Sequence, residues 1–330
     1  AYSAFNNKIY LCGMTSSNSG IATSTSVHQS TIGGGDDGYL ACFSTGGAIQ
    51  WATYYGGGGD DKIVKIPASR INGNIYVAGE TNSSSGISAG TVHQGSLGGN
   101  KDGFIAAFTS TGSRQWATYY GGSADDAAAG IATDGYDNVY LAGSTTSTGT
   151  GVIATAGSYQ PGLAGSSGAA DAFLVKFDNT GVRQWGTYFG GPAADHTQDI
   201  AIDGTGNICF AGTTGSGGIA SPGAYQTTFG GNSDAFMAIF SPTGDRNWVS
   251  YFGGPNADNA YGISYSKLGD LYIAVNAASS GLATASSYQM TLSGTQDAML
   301  VKFKADTAAY VIPPVTPTTM CAGDSLDVNY

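Results

Sequence analysis

The sequence predicts an all-β fold, a β-propeller of four-stranded antiparallel blades, on three observations. First, a long repeat recurs: the four tryptophans, at positions 51, 116, 185 and 248, open QWATYYGG, QWATYYGG, QWGTYFGG and NWVSYFGG, so the copies are 65, 69 and 63 residues apart. That period fits one propeller blade better than one turn of a helical solenoid. Second, the apolar residues alternate with a period of two, and third, no window of helical periodicity is long enough to predict a helix.

Four strands recur in each repeat, and the copy that follows Trp116 displays them clearly. We expect strand A at about Ala127–Thr133, strand B at about Asn138–Gly143, strand C at about Asp171–Phe177 and strand D at about Arg183–Phe189. Asp-Gly turns join A to B, and short turns join C to D. The connection from B to C is an insert of more than twenty residues with its own recurring text.

The array contains five repeats, and both of its ends are irregular. The first strand A is reduced to Ala1–Ser3, and Val311 takes the tryptophan position in the fifth strand D. We expect a propeller over residues 1–312 that closes as a ring of five blades, with part of a six- or seven-bladed ring as the alternative. Prolines mark residues 313–330 as a linker and the start of a following β-sandwich or Ig-like domain.

The charge balance argues against nucleic acid as a partner. The chain has 12 Lys and Arg against 23 Asp and Glu, a net charge of −11, and the basic residues are scattered. A phosphate backbone requires a concentrated basic surface. No apolar run approaches the roughly 20 residues that cross a bilayer, so we expect no direct membrane insertion. The chain begins in mid-pattern without a leader, which indicates a mature or truncated end.

The cysteines and the surface composition bear on the compartment. Neither a CxxC pair nor a His at metal-ligand spacing accompanies the four cysteines, which argues against a zinc or redox motif. Cys12 and Cys42 fall on adjacent strands of the first repeat and are either isolated buried thiols or a disulfide. A Lys-poor chain rich in Gly, Ser, Thr and Asn is typical of an extracellular protein.

One run carries a family resemblance. TYFGGPAADHTQDIAIDGTGNICFAGTTGSGGIASPGAYQTTFGGNSDAFMAIF, at Thr187–Phe240, contains Y-[YF]-G-G, D-G-x-G-N, S-P-G-A-Y-Q and D-A-F in order. These motifs resemble the SBBP family of β-propeller repeats over about residues 1–312. The resemblance implies four-stranded blades on an extracellular bacterial protein. The final CAGDSLDVNY is similar to the starts of Ig-like modules in large surface proteins of gliding, type-9-secreting bacteria.

Recurring aspartates are the candidate metal ligands. Ten residues after each tryptophan, where strand A begins, stand Asp61, Asp126, Asp195 and Asp258. Carboxylates and carbonyls in Gly-rich turns are oxygen ligands suited to calcium, which is therefore the candidate cofactor. The alternative is that each Asp accepts backbone N–H groups and fixes its turn, because the spacing matches no known calcium loop. A second set of aspartates opens strand C, where we expect a structural role.

Aromatic residues of the B–C inserts are the candidate ligand contacts. Tyr159, Tyr225 and Tyr288 each precede a Gln in the last three inserts. Exposed aromatics at these positions suit a glycan-binding protein. His28 and His93 take the same place in the first two inserts, so we interpret both imidazoles as packing residues.

These features favour a non-enzymatic extracellular propeller that acts as a rigid scaffold, adhesion or interaction domain of a large bacterial cell-surface or secreted protein. The expected partners are other domains of the same protein and a cell-surface glycan or protein. A lectin-like propeller and a glycan-active hydrolase or lyase are the alternatives, because fold does not fix function. The B–C inserts and the GG-x-x-Asp loops, which join strand D to the next strand A, emerge on the same face of the propeller. We expect any ligand to bind on that face.

Overall fold

The computed structural model describes residues 1–24, 26–69, 71–149, 151–166, 168–304 and 318–320. Strands and turns make up this part of the chain, which contains no helix and hence none that is long and apolar enough to cross a membrane. Its 20 strands form five sheets of four strands each, and within every sheet the spatial order is the chain order. The predicted all-β propeller fold is confirmed, and each sheet is one blade.

The strand bounds are as follows. Blade 1 contains β1 (Tyr2–Ser3), β2 (Lys8–Thr15), β3 (Asp37–Ser44) and β4 (Ile49–Tyr55). Blade 2 contains β5 (Asp61–Lys65), β6 (Ile75–Thr81), β7 (Asp102–Phe108) and β8 (Arg114–Tyr120). Blade 3 contains β9 (Asp126–Thr133), β10 (Val139–Thr145), β11 (Asp171–Phe177) and β12 (Arg183–Phe189). Blade 4 contains β13 (Asp195–Ile202), β14 (Ile208–Thr214), β15 (Asp234–Phe240) and β16 (Arg246–Phe252). Blade 5 contains β17 (Asp258–Tyr265), β18 (Leu271–Ala277), β19 (Asp297–Phe303) and β20 (Thr318–Met320).

The strands predicted for blade 3 agree closely with the structure. Strands C and D match β11 and β12 at both ends, strand A begins one residue earlier than predicted, and strand B begins one residue later and ends two residues later. The A–B turn forms because Asp134 accepts the backbone N–H groups of Tyr136 at 2.8 Å and Asn138 at 2.9 Å through Oδ1. Turns of this kind are local, so the sequence predicts them well.

The chain divides into two compact units, Ala1–Gly162 with Phe173–Tyr188 and Leu163–Ala172 with Phe189–Tyr330. In the first unit, Trp51 and Tyr55 of β4 pack in one buried cluster with Phe104 and Phe108 of β7. In the second unit, β16 of blade 4 packs in the same way on β19 of blade 5. Consecutive blades within a unit are therefore joined by an apolar layer.

A tryptophan of strand D is the key residue of this layer. Trp116 is 4% exposed and packs between Tyr76 of its own blade and Phe177 of the next. Its indole Nε1 donates a hydrogen bond of 3.0 Å to the carbonyl of Asn179 in the C–D turn of blade 3. In that turn Gly181 has a φ of +89°, and a Cβ there would lie 2.8 Å from the Trp116 ring. Glycine is thus required by the backbone conformation and by the ring.

The other tryptophans follow the same plan. Trp51 donates from Nε1 to the carbonyl of Ser110 in the C–D turn of blade 2 at 2.9 Å. Trp248 is buried against Phe303, and Trp185 is half-buried against Tyr140. All four tryptophans are therefore packing residues of strand D, three of them buried and Trp185 half-buried.

The cysteines of the described residues are free thiols: Cys12, Cys42 and Cys209. The register pairs Cys12 with Leu40 and Cys42 with Tyr10, so the two cysteines of blade 1 do not lie opposite each other. Burial raises the pKa of Cys12 to about 11, which keeps its thiol protonated. The interpretation as isolated thiols is confirmed for these residues, and Cys321 lies outside the described part.

The last blade gains its fourth strand late in the chain. Thr318–Met320 pairs antiparallel with β19, with Val301 opposite Thr319. Val311, the predicted tryptophan counterpart, and the predicted boundary between residues 312 and 313 lie outside the described residues. The domain division and the closure of a five-bladed ring therefore stay predictions.

Replacing Trp116 with Ala should lower the free energy of unfolding by roughly 3–5 kcal/mol, because the change removes a large buried ring and one hydrogen bond. Urea unfolding followed by circular dichroism measures the effect. The control is Trp116→Phe, which keeps ring packing, loses the indole donor and should cost clearly less. Equal stability of the parent and the Ala variant would contradict the packing role.

Candidate functional site

The aspartates that open strand A are buried and hydrogen-bonded. Asp61 accepts the backbone N–H of Gly57 and the hydroxyl of Ser83 through Oδ2, both at 2.7 Å, and the hydroxyl of Thr81 through Oδ1. Asp126 accepts Gly122 N–H at 2.6 Å and Ser147 Oγ at 2.7 Å. Each carboxylate thus ties the loop before strand A to the end of strand B.

The same pattern recurs in blades 4 and 5. Asp195 accepts the N–H of Gly191 at 2.7 Å and the hydroxyl of Ser216 at 2.8 Å, together with the Thr214 hydroxyl. Asp258 accepts the N–H groups of Gly254 at 2.8 Å, Ala278 at 2.9 Å and Ser279 at 3.1 Å.

Each of these four candidate metal ligands belongs to a different blade. Within the described ranges, no group of three or more His, Cys, Asp or Glu side chains is arranged to hold a metal ion. The observed contacts are those of turn-forming carboxylates. Calcium at Asp61, Asp126, Asp195 and Asp258 stays a prediction.

The aspartates of strand C explain the recurring Gln. Asp37 accepts the Gln29 side-chain amide at 2.7 Å and the Gly33 N–H at 2.8 Å, while Gln29 Oε1 accepts the N–H of Gly56 at 3.0 Å. Blades 2 and 4 repeat all three bonds, through Gln94, Asp102 and Gly121 and through Gln226, Asp234 and Gly253. The Gln therefore joins the insert, the start of strand C and the end of strand D. The sequence analysis noticed its recurrence but not this role.

The two sets of aspartates meet at the first Gly of each GG pair. A Cβ on Gly56 would lie 2.6 Å from the Asp37 carboxyl carbon and 2.6 Å from Asp61 Oδ2. Burial raises the pKa of Asp37, and the Asp61 carboxylate adds to the rise, against the hydrogen bonds from Gly33 and Gln29. Only glycine fits between two carboxylates at this distance.

Tyr225, one of the candidate tyrosines, packs between blades 4 and 5. Tyr225 stacks on Phe252 with 6.1 Å between ring centroids and meets the edge of Phe303 at 5.8 Å. His28 takes the same place over Tyr55 and Phe108, both at 5.6 Å, so the packing interpretation of the imidazoles is confirmed.

The tyrosines nevertheless keep exposed surface. Tyr159 is 41% exposed, Tyr225 is 40% exposed and Tyr288 is 79% exposed. They lie in the inserts of three different blades, and none of them lines the cleft described next. Their role as ligand contacts stays a prediction.

A cleft of about 960 Å³ lies between blades 1 and 2 and departs from the repeat. Its lining includes Lys8 and Arg114, the rings of Trp51 and His28, and the amide of Gln50, and no Asp or Glu is among the lining residues that the structure describes. Hydroxyl groups supply much of the remaining polar surface: Thr23, Ser24, Ser26, Ser110, Thr111 and Ser113.

The cleft has a positive character in an acidic protein. Lys8 Nζ donates to Gln50 Oε1 at 3.0 Å, and Arg114 Nη1 donates to the carbonyls of Gly86 and Ile87, both at 3.0 Å. Neither cation has an ion-pair partner among the described residues. Burial, with a smaller contribution from Arg114, lowers the pKa of His28 to about 4, so the imidazole is neutral at pH 7. The two long basic side chains therefore set the charge of the cleft.

The sequence analysis missed this cleft. The signal was present: Lys8 stands where the other repeats have Asn74, Asn138, Asn207 and Asp270. Comparing the copies position by position would have singled out Lys8 as a change of charge.

Residues 115–149 match the model of a family described as SBBP, a β-propeller repeat. The match covers most of β8, all of β9 and β10, and the residues that follow. A search of curated proteins finds no match.

Solved structures with similar folds include enzymes. A protein named as a gluconolactonase is 11% identical with a TM-score of 0.35, and the alignment covers 71% of this chain and 67% of that one. A protein of unknown function from Dyadobacter fermentans is 11% identical with a TM-score of 0.44 over 96% and 91% of the two chains. A lignostilbene dioxygenase from Pseudomonas brassicacearum is 12% identical with a TM-score of 0.39 over 93% and 63%.

The prediction that the chain is not an enzyme is corrected by these comparisons. Two of the three proteins are named as enzymes, so the statement is withdrawn. The prediction rested on the regularity of the repeat. A regular scaffold can nevertheless carry catalytic residues at positions where single residues depart from the pattern. At 11–12% identity these likenesses bear on the fold alone.

Replacing Asp102 with Asn should alter how stability depends on pH. Burial raises the pKa of Asp102 in the folded chain, so the folded state holds its proton up to a higher pH than the unfolded state does. The associated stabilisation is complete below the ordinary value of about 4 and is lost as the pH rises through the raised value. The Asn variant mimics the protonated carboxyl and should gain stability relative to the parent as the pH rises from about 4 to 8.

The difference between the two unfolding free energies reports this carboxyl together with its coupling to Asp126, because all other titrating groups are common to both proteins. Asp125→Asn, which removes an exposed carboxylate outside the hydrogen bonds of Asp102, is the control for the loss of one negative charge. A constant difference for Asp102→Asn across the range would contradict the shift.

Chelation distinguishes the two roles of the strand-A aspartates. Since Asp61, Asp126, Asp195 and Asp258 already accept several N–H and O–H donors each, we expect EDTA to leave the melting temperature of the parent protein unchanged. A lower melting temperature that calcium restores, and that is absent when all four are Asn, would instead establish the cation site.

Proposed function

We propose that this chain is the propeller module of an extracellular bacterial cell-surface or secreted protein, a rigid scaffold that binds an acidic glycan in the cleft between blades 1 and 2. The observation that carries the proposal is Lys8, a cation without a counterpart in the other blades, in a cleft without a described carboxylate on a chain of net charge −11. Arg114 adds charge to the same lining, although its position recurs as Arg183 and Arg246.

The repeated polar groups favour a scaffold. The aspartates of strands A and C and the Gln of the inserts make hydrogen bonds within the blades, as Asp61, Asp37 and Gln29 illustrate. Groups that recur in blade after blade thus serve the fold. Binding specificity is then expected where a blade departs from its copies.

The chemistry of the cleft fits a sugar acid. Arg and Lys recognise carboxylates through charge-assisted hydrogen bonds, and serine and threonine hydroxyls exchange hydrogen bonds with sugar hydroxyls. Val27 and the half-buried His28 ring supply apolar surface in the lining for the face of a pyranose. A volume of about 960 Å³ accommodates a short oligosaccharide.

The proposed extracellular location is supported by the composition of the chain and by its family resemblance. Few lysines, many Gly, Ser, Thr and Asn residues, and repeats similar to SBBP support an extracellular bacterial location. The similarity of CAGDSLDVNY to Ig-like modules supports other domains of the same protein as partners and secretion by the type 9 route. An adhesin of a gliding bacterium combines these features.

Titration calorimetry tests the binding proposal with a tetramer of galacturonic acid and a neutral galactose tetramer. The acidic sugar should bind, the neutral one should bind at least tenfold more weakly, and added salt should weaken the binding because the contacts are ionic. Lys8→Gln should reduce the affinity for the acidic tetramer about tenfold or more, the size of one lost charge-assisted bond.

Lys304→Gln removes the same charge from an exposed residue outside the cleft and should leave the affinity unchanged. Equal affinity of the parent for both tetramers, or equal effects of the two substitutions, would contradict an acidic-glycan site in this cleft.

A further inference from the structure

The turn between β5 and β6 of blade 2 contains an Asn-Gly pair. Gly73 follows Asn72, and every other asparagine of the sequence precedes a residue other than glycine. Asn72 is exposed, and Gly73 has a φ of +73°. Glycine adopts positive φ without strain, so an Asn-Gly pair suits a tight turn. The pair also has a chemistry of its own.

An asparagine side chain reacts with the backbone nitrogen of the residue that follows it. The nitrogen attacks the side-chain carbonyl carbon Cγ, a five-membered succinimide ring closes, and ammonia leaves. Water then opens the ring at either carbonyl and yields aspartate or isoaspartate. The net change is the loss of ammonia, the gain of water and the replacement of a neutral amide by a carboxylate. A following glycine favours this deamidation because it has no side chain to block the attack.

Hydrogen bonds orient the Asn72 side chain for this attack. Asn72 Oδ1 accepts the N–H of Asn74 at 2.8 Å, and the backbone N–H of Asn72 donates to Ser69 Oγ at 3.1 Å. A side-chain oxygen that accepts the N–H two residues later holds its Cγ over the intervening peptide, which contains the nitrogen of Gly73. The same hydrogen bond polarises the amide carbonyl, which makes Cγ a better electrophile.

Two asparagines that end equivalent turns differ in both respects. In each, the side-chain amide nitrogen donates to an aspartate of its own turn, at 2.7 Å from Asn138 and 2.9 Å from Asn207. A β-branched residue follows each of them and crowds the attacking nitrogen. Asn138 and Asn207 are therefore controls within the same molecule.

A carboxylate at residue 72 would lie near a buried carboxylate of blade 3. Asp137 is 1% exposed and has a φ of 59°, at a position where blades 2, 4 and 5 have glycine. Its Oδ1 accepts the hydroxyl of Ser69 at 2.6 Å, and the same hydroxyl oxygen accepts the backbone N–H of Asn72. One serine thus connects the Asn-Gly turn of blade 2 to Asp137.

Tyr76 interacts with both residues. Burial raises its pKa to about 12 and the Asp137 carboxylate adds to the rise, while the side-chain amides of Asn74 and Asn72 lower it. A carboxylate in place of the Asn72 amide would set two like charges around this buried hydroxyl. Like charges repel more strongly in such surroundings than in water.

We propose that Asn72 is a site of spontaneous deamidation in the folded protein, and that the carboxylate formed there weakens the contact between the turns of blades 2 and 3 by repelling Asp137. Isoaspartate also adds one methylene group to the backbone of the turn, which displaces the acceptor of the Asn74 N–H. The proposal is independent of the glycan cleft, whose described lining includes neither Asn72, Ser69 nor Asp137.

Peptide mass mapping after incubation at neutral and at mildly alkaline pH tests the reaction. The peptide that contains Asn72 should lose ammonia and gain water with time, and faster at the higher pH, because the attacking nitrogen must lose its proton. Fragment sequencing should place the change at residue 72, with Asn74, Asn138 and Asn207 unchanged over the same period.

The variant for this test is Asn72→Gln, because the longer side chain cannot close a five-membered ring. Residue 72 of this variant should stay unmodified. Gly73→Ala is unsuitable, since a Cβ on Gly73 would lie 2.7 Å from the Phe5 ring and the φ of +73° disfavours alanine.

Melting temperatures test the effect of the new charge. Asn72→Asp, which is one of the two products, should lower the melting temperature by a few degrees. Most of this loss should disappear in the Asp137→Asn background, where the opposing charge is absent. Asn18→Asp makes the same change at an exposed asparagine of blade 1 and should have little effect in either background.

The proposal is overturned if residue 72 keeps its amide throughout the incubation, or if it changes no faster than Asn74. It is also overturned if Asn72→Asp lowers the melting temperature equally in both backgrounds, or no more than Asn18→Asp does.

Discussion

The insertion of a strand-D tryptophan into the next blade is the interaction on which this architecture depends. The indole of Trp116 lies between two aromatic rings and is fixed in orientation by one hydrogen bond to the turn that follows β11. The turn in its place needs a glycine, because the ring occupies the volume of a side chain at Gly181. One residue type in one blade thus dictates another residue type in the following blade, which explains why the repeat is so uniform.

Buried aspartate carboxylates are the second constraint on the repeat. Asp37 and Asp61 approach the same glycine, and a network of amide and hydroxyl donors surrounds each of them. A buried polar group without such partners is costly, so the residues that satisfy the carboxylates must recur wherever the carboxylates do. Repetition in this protein therefore indicates a structural role. Lys8 is a candidate binding residue because no other blade has a cation at its position.

Local chemistry made the strands predictable from the sequence. The period of two, the Asp-Gly turns and the repeat itself fix β11 and β12 to the residue. The hydrogen-bond partners of the aspartates could not be predicted from the sequence. Asp61, for example, accepts the hydroxyl of Ser83, which lies 22 residues later in the chain, after the end of another strand. The cleft was harder to predict, because Lys8 and Arg114 line one cleft only once two blades pack together. The prediction that the chain is not an enzyme was withdrawn because the regularity of a scaffold does not decide its chemistry.

The contact between a strand-D tryptophan and a turn glycine limits how blades can be exchanged. Trp116 fills the space beside Gly181, and Trp51 fills the space beside Gly112, so each contact has one half in each of two consecutive blades. In repeat proteins stability is close to a sum of contributions from each repeat and each contact with a neighbour. A blade moved into another array therefore keeps its own hydrogen bonds, but it regains the contact energy only where its new neighbour supplies the matching glycine or tryptophan.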